Sequence, residues 1–436
     1  MPRSLGVVLA LGFALVTSRV RAGNDDEILV GNEAALAAGA VGATSRDGSS
    51  LWYNPAGVAL AKKGHIEGSG SAFVLRNYTI DGLIRTSSGQ KSNADFLEIV
   101  SVPSALSILW PLEPGLVLGA GIFVTRAANS SISARLVEPL DSGREGEWLL
   151  VLTDRSAIYR LGLGLGWSIL PRLRVGATAF ATYEGITQTG QFSGGVIDPT
   201  TSQADSFVAG SSRLAADRVG LRAVLGIQFD PTDELSFGLT VMTHGLSIAS
   251  RSESSSFAAE ADSAERVFGA DRRSDLSTGI AASEPLRLRA SAAYRMGEDW
   301  ISIDADYQTE LTVPGLALQR DALVNARVGG LFKVDTHVWI GAGLFTDLSS
   351  ERTPRSVGDS RADFLGGTFG IRYDHPLALA EPDADVLTFS TSIGLRYAYG
   401  FGEARGLITD GTSDPFVDVD YAVHEFALHI GSGLSY

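Results

Sequence analysis

The chain contains no cysteine among its 436 residues. This excludes a disulfide framework and thiolate metal ligands, and it suits a protein that crosses an oxidising compartment before folding. Positive charge is in deficit: 35 Lys and Arg against 50 Asp and Glu leave a net charge of −15. That argues against a nucleic-acid partner, because phosphate binding needs a clustered basic surface. Long apolar runs are missing too. After the first residues no stretch holds the ~18 uncharged apolar residues of a spanning helix, so a membrane-spanning form of this chain must be a closed barrel. Catalytic signatures are equally scarce: no HExxH, GxSxG or phosphate-cradling glycine loop occurs. Of the six histidines, His424 and His429 are an odd number apart and would point to opposite faces of a strand. No catalytic residue, metal or cofactor is expected, and a hydrolase assembled from scattered residues is the enzyme reading left open.

What is present begins with an export address. Arg3 precedes an apolar run at 5–16, and Val20, Arg21 and Ala22 end in the small residues a signal peptidase needs, which predicts a signal peptide over 1–22. Residues 23–64 are rich in small side chains and run into LWYNPAG at 51–57. Proline fixes its own φ and pushes Asn54 out of the α region, and Gly57 is free to take a positive φ, so the motif predicts a turn. Together with Trp52 and Tyr53, this composition suits a plug packed inside a lumen.

From His65 onward the hydrophobic period is two. Leu286, Leu288, Ala290, Ala292, Tyr294 and Met296 alternate with Arg287, Arg289, Ser291, Ala293 and Arg295, the pattern of a strand with one apolar and one polar face. About fourteen such segments follow one another, near 65–81, 97–110, 116–129, 157–170, 173–186, 217–230, 235–251, 286–296, 300–310, 325–334, 337–348, 363–375, 386–402 and 419–436. Most reach the length that crosses a bilayer when tilted. Connections alternate between tight (111–115, 171–172, 231–234, 297–299) and long (130–156, 187–216, 252–285). The expected fold is an all-β, 14-stranded antiparallel transmembrane barrel over 65–436, with an N-terminal hatch over 23–64 and the long loops outside. Register follows from magnitude: a one-residue slip of 286–296 would turn three arginines toward lipid, at about 2–4 kcal/mol each near mid-bilayer.

That register aims Arg160, Arg222, Arg287, Arg289, Arg327 and Arg396 into the lumen, below the outer mouth. They can pair with Glu184, Asp304, Asp306 and plug residues, or some can receive an anionic head group through bidentate guanidinium contacts. Two long loops carry apolar residues: Phe192, Ile197 and Phe207 in one, Phe257 and Phe268 in the other. These can line an apolar landing groove or form the small cores of structured loops.

The small-residue segment running into WYNPAG, the stretch VPSALSILWPLEPGLVLGAGIF, strand pairs such as LGLGLGWSILPRLRVGATAFATYE and the aromatic C-terminus together resemble the FadL/TodX family of outer-membrane transporters for long-chain fatty acids and other hydrophobic compounds. The resemblance spreads over nearly the whole mature chain. It implies a fourteen-stranded barrel closed by a hatch that includes Asn54, Pro55, Ala56 and Gly57. It also implies passive uptake by capture at external loops, lumen binding, and release sideways at a kink in the third strand, where Gly119 and Gly121 would form the opening. The implied partners are a hydrophobic small molecule, outer-membrane lipid and the assembly machinery that reads a C-terminal aromatic such as Tyr436. The acidic start GNDDE and the charged external loops depart from the family pattern and leave the substrate open. A scaffold barrel for secretion or surface attachment, and a plugged porin for small solutes, are the alternatives.

Overall fold

The computed structural model describes residues 28–140, 143–198, 200, 203–261, 266–313, 318–351, 357–377, 387–409 and 416–436. The expected signal peptide and the acidic start lie outside them. Among the described residues no helix is long and apolar enough to cross a membrane.

Two short helices, α1 (Asn32–Leu36) and α2 (Ser50–Tyr53), and a 3-10 turn at Pro55–Leu60 precede a continuous series of strands. The first six are β1 (His65–Arg85), β2 (Lys91–Glu113), β3 (Leu116–Pro139), β4 (Glu145–Leu170), β5 (Leu173–Asp198) and β6 (Gln203–Phe229). Next come β7 (Leu235–Met242), β8 (Gly245–Ala261), β9 (Arg266–Glu284), β10 (Arg287–Met296) and β11 (Asp299–Gln308). A small hairpin, β12 (Leu311–Val313) with β13 (Leu318–Arg320), interrupts the series. It resumes with β14 (Leu323–Lys333), β15 (Val338–Asp347), β16 (Ser360–Leu377), β17 (Leu387–Ile408) and β18 (Phe416–Ser435).

These pair into one 16-stranded sheet, in the order β5-β4-β3-β2-β1-β18-β17-β16-β15-β14-β11-β10-β7-β6-β8-β9, and the β5–β6 pairing closes it on itself. The count exceeds the expected fourteen because two staves are broken, one between Met242 and Gly245 and the other at Pro285 and Leu286, where proline has no N–H for the ladder. Nor is every pairing antiparallel. Above Ile80↔Tyr421 β1 leaves β18, and Ile84 and Arg85 lie parallel to Leu407 and Ile408 of β17.

Tight turns cluster at the end where the chain leaves Gly64. Gly115 (φ 82) and Gly297 (φ 71) supply the positive φ that these turns need. At the opposite end the three expected long loops are instead strand extensions. β3 and β4 stay paired out to Pro139↔Glu145, β5 and β6 to Asp198↔Gln203 across a register shift between Val196 and Ile197, and β8 and β9 to Ala261↔Arg266. Once a hairpin is in register, each further residue pair satisfies two more backbone groups, so pairing continues although the side chains there are no longer apolar.

The outer face is apolar and the inner face polar. On β4, Leu161, Leu163, Leu165 and Trp167 are exposed while Arg160, on the opposite face of the same strand, is buried. A closed sheet with an apolar outer belt is a membrane-spanning barrel of the outer-membrane type.

Candidate functional site

The lumen is filled by the segment from Ile28 to Leu60. Val30, Leu36, Val41, Leu51, Trp52, Tyr53 and Val58 form one buried cluster with inward wall residues that include Phe123, Phe180, Met242, Trp300 and Leu331. The contacts go round the ring. The Thr368 hydroxyl donates to the Leu36 carbonyl (2.8 Å), Gly42 N–H to Asp304 (2.9 Å) and the Thr240 hydroxyl to the Tyr53 carbonyl (3.0 Å). On β1, the Glu67 carboxylate accepts from two separate points of the segment, Asn32 N–H (2.7 Å) and Gly48 N–H (3.2 Å).

The Asn54-Pro55-Ala56-Gly57 motif sits at the base of this contact. Asn54 is extended (φ −159, ψ 101), as the following proline requires, and fully buried. Its amide nitrogen donates to the carbonyls of Gly42 (2.8 Å) and, across to the wall, Ile227 (3.1 Å); its amide oxygen accepts from Ala56 N–H (3.2 Å). Gly57 is not in a positive-φ conformation, contrary to the turn expected. It is required for a different reason, since a Cβ there would lie 2.2 Å from the Ser45 carbonyl oxygen. The wall is built to match: a Cβ on Gly176 would lie 2.3 Å from the Pro55 carbonyl, and one on Gly226 would lie 2.1 Å from the Asn54 amide oxygen. Inward glycines on β5 and β6 are the signal for this seat.

All six predicted lumen arginines are buried. They do not converge on one point. Arg160 grips Glu284 through both terminal nitrogens (3.1 and 2.9 Å), and Arg222 reaches the same carboxylate. Arg289 makes a bidentate pair with Asp306 (2.7 and 3.0 Å), and Arg327 lies 3.6 Å from that carboxylate. Arg396 pairs with Glu425, which also takes Arg76. Two of the guanidinium groups cover rings of the luminal segment, Arg160 at 5.1 Å from Trp52 and Arg289 at 4.9 Å from Tyr53. Of the expected acidic partners Asp306 is used; Glu184 pairs instead with Arg218, and Asp304 holds Gly42. Glu284 and Glu425 were missed. The first lies in what reads as a loop, while the second was legible, since Phe426 beside it faces lipid.

The five apolar loop residues do not line a common groove. Gly210 of β6 pairs with Phe192, and three residues earlier Phe207 faces the opposite way. Phe192 therefore enters a buried cluster at the outer mouth, with its ring 5.9 Å from that of Trp148. Phe207, Phe257 and Phe268 share the other, exposed face, through the pairs Phe207↔Ala261, Ser211↔Phe257 and Ala259↔Phe268. Ile197 is half-buried near the hairpin tip.

The wall has a discontinuity, displaced from the expected glycines. Gly119 and Gly121 are regularly paired on both sides, to Leu109 and Ser107 of β2 and to Gly164 and Gly162 of β4. Gly119 seats Leu51 of the luminal segment; a Cβ there would come within 2.9 Å of it. Backbone pairing of β2 with β3 ends at Ala105↔Phe123, although β2 continues against β1 to Lys91 and β3 against β4 to Pro139. Two sequence features explain the break. Pro103 on β2 has no N–H to offer β3, and Thr125 on β3 is a bulge, skipped between Val124↔Tyr159 and Arg126↔Ile158. Ile28 of the luminal segment packs into this opening with Val102, Val124 and Ala127. Side chains bridge it: the Ser92 hydroxyl donates to the Arg135 carbonyl (2.7 Å), Arg76 to the Ala127 carbonyl (3.3 Å), and Asn129 N–H to Glu98.

The site is thus that of a closed barrel with its lumen occupied by its own N-terminal segment and a break in its side wall between β2 and β3. No protein-family model and no curated protein matches the chain. Solved structures do. A Pseudomonas aeruginosa FadL homologue shares the fold at a TM-score of 0.61 and 11% identity, over 93% of this chain and 98% of that one. The Pseudomonas putida toluene transporter TodX is similar at 0.57 and 14%, over 93% and 98%. The Ralstonia pickettii toluene transporter TbuX is similar at 0.55 and 11%, over 95% and 99%. The chain has the FadL/TodX fold.

Proposed function

We propose that this chain is an outer-membrane channel for passive uptake of hydrophobic molecules, gated by residues 23–64 acting as a hatch in a barrel of residues 65–436. Reading β7 with β8 and β9 with β10 as single staves gives fourteen in that wall. The observation that carries the proposal is the break between β2 and β3, filled by Ile28 and apolar wall residues. An apolar passage from lumen to bilayer suits a solute that partitions into hydrocarbon and is of no use to a polar one. Likeness of fold to proteins described as a FadL homologue and as toluene transporters supports the same solute class.

Long-chain fatty acids are the substrate we favour. Arg160 and Arg222 flank Glu284, and Arg289 and Arg327 flank Asp306, so both clusters present guanidinium groups of the kind that grips a carboxylate in bidentate fashion. The test is uptake of labelled oleate and labelled toluene by cells lacking their own transporters. Ala127→Trp, which places an indole in the opening, should abolish uptake while the barrel stays folded in the membrane. Undiminished uptake in that variant would remove the side-wall route.

A further inference from the structure

The lumen is closed a second time, at its outer mouth. At membrane depth the inward positions carry charge: Arg76 on β1 and Glu425 on β18 are buried there and paired. Further out the same two faces turn apolar, with Tyr78 and Ile80 on β1 and Val423, Tyr421 and Val419 on β18. This inner face is not open to water. It collapses into one buried cluster with residues of β2 to β5, β16 and β17.

Two segments cross the mouth to make that cluster. The first is the tip of β1. Leu407 of β17 has Phe416 of β18 on one side, so Ile84 takes its other side, along the edge that β16 leaves free beyond Ser360↔Ala404. β1 reaches that edge across the lumen side of its neighbours, because Ile80, Leu83 and Ile84 are fully buried in the cluster. Thr409 N–H donates to the Arg85 carbonyl (3.0 Å) and fixes the tip. The second segment is Val357–Asp359, ahead of β16. Gly358 N–H donates to the Arg405 carbonyl of β17, and Arg405 N–H to the Asp359 carbonyl (both 2.9 Å). Gly358, held at φ 84, also meets β4: a Cβ there would lie 2.1 Å from the Leu152 side chain. In ring order β17 and β4 are five steps apart, about 24 Å along the wall at the usual strand spacing. The contact therefore spans the mouth, and Val357 is buried in the cluster beside it.

A dry apolar closure excludes ions and polar solutes, which would have to shed their water to pass, and it can part for a molecule that partitions into hydrocarbon. We propose that the β1 tip and the 357–359 segment form an outer lid, an entry filter that shuts the lumen from outside and parts only for a hydrophobic solute. The closure stands on this geometry alone; the solute it admits rests on the uptake reading above.

The test is external labelling of Thr182→Cys in cells without general porins. Thr182 is buried in the lumen below the lid, where its hydroxyl accepts from Arg160 (3.1 Å), and the chain has no other cysteine. A charged, membrane-impermeant maleimide should react slowly with this variant. Adding Ile84→Asp, which sets a carboxylate in the apolar cluster, should accelerate labelling about tenfold or more. Val357→Asp does the same if Ile84→Asp fails to assemble, with heat-modifiable gel mobility reporting folding. Ser133→Asp, at an exposed position of β3, should change nothing. Equal rates in the lid variants and their parent, or fast labelling of the parent, would overturn the proposal. A second arm locks the lid. Ile84 and Leu407 are neighbours across the parallel ladder, within the roughly 4.4–6.8 Å between Cα atoms that a disulfide bridges. Ile84→Cys with Leu407→Cys should stop oleate uptake when oxidised and restore it on reduction; uptake that continues through a fully locked lid would overturn the filter. Absence of oleate uptake in every variant, with labelling as expected, would uphold the closure and remove the uptake reading instead.

Discussion

Asn54→Ala should undock the luminal segment without disturbing the wall. The side chain is fully buried and joins three partners, the carbonyls of Gly42 and Ile227 and the N–H of Ala56. The Gly42 carbonyl keeps a second donor, Gln228, at 3.3 Å, so the loss falls mainly on the contact to Ile227 and the turn at Ala56. Removing one partner of a buried hydrogen bond costs roughly 1–3 kcal/mol. With two contacts affected, about 2–3 kcal/mol is expected, which multiplies the undocked fraction roughly 30- to 150-fold. Limited proteolysis of the folded barrel measures this directly: cleavage within 28–64 should accelerate by that factor while the strands stay protected, and open-channel conductance should rise in parallel. Equal cleavage rates in the variant and wild type would refute the argument that this amide anchors the segment.

Other outcomes follow from the same geometry. Gly176→Val places a Cβ against the Pro55 carbonyl, where the contact would be 2.3 Å; it should destabilise docking by about 1–3 kcal/mol, and a crystal structure with the segment undisturbed would contradict this. Burial, with Glu67 and then Glu33 adding like charge, holds the Asp47 carboxyl up at about 8 against an ordinary 3.8. Because the docked-state value is the higher one, Asp47 favours docking fully below about pH 4, and the preference is lost as pH rises through about 8. Protease protection of 28–64 should weaken over that range and become flat in Asp47→Asn; identical profiles would contradict the assignment. Arg222→Gln removes one guanidinium beside Glu284, so oleate uptake should fall severalfold with toluene uptake unchanged. An equal loss for both solutes would mean that Arg222 is structural.

Strand positions were legible because alternation is imposed by the bilayer: a lipid-facing arginine is costly enough that Arg287 and Arg289 could lie only inward, and both are buried. Beyond the membrane that constraint disappears. Segments 130–156, 187–216 and 252–285 lack a clear period, yet the strands described within them continue to pair, because backbone pairing does not need apolar side chains. The error propagated to the site. With 252–285 read as loop, Glu284 could not be seen as the partner of Arg160 and Arg222, and Phe192 could not be separated from Phe207 by strand parity. The wall break was misplaced for another reason. Glycine is not the mark of the break: Gly119 is small because Leu51 packs on it, whereas β2 and β3 part beside Pro103, which has no N–H, and the bulge at Thr125. That proline was visible in the sequence within a stretch read as a plain strand. Asn54-Pro55 was legible as a motif, and its wall seat at Gly176 and Gly226 emerges only when the chain is folded.

The side-wall route can be tested by closing it reversibly. The chain has no cysteine, so Val102→Cys with Val124→Cys, two residues that pack together in the opening, gives a single pair to join with a short cleavable crosslinker. Once linking is complete, uptake of labelled oleate by cells expressing the folded barrel should cease, and it should return on cleavage. Uptake that continues at the unlinked rate through a fully crosslinked wall would contradict lateral release.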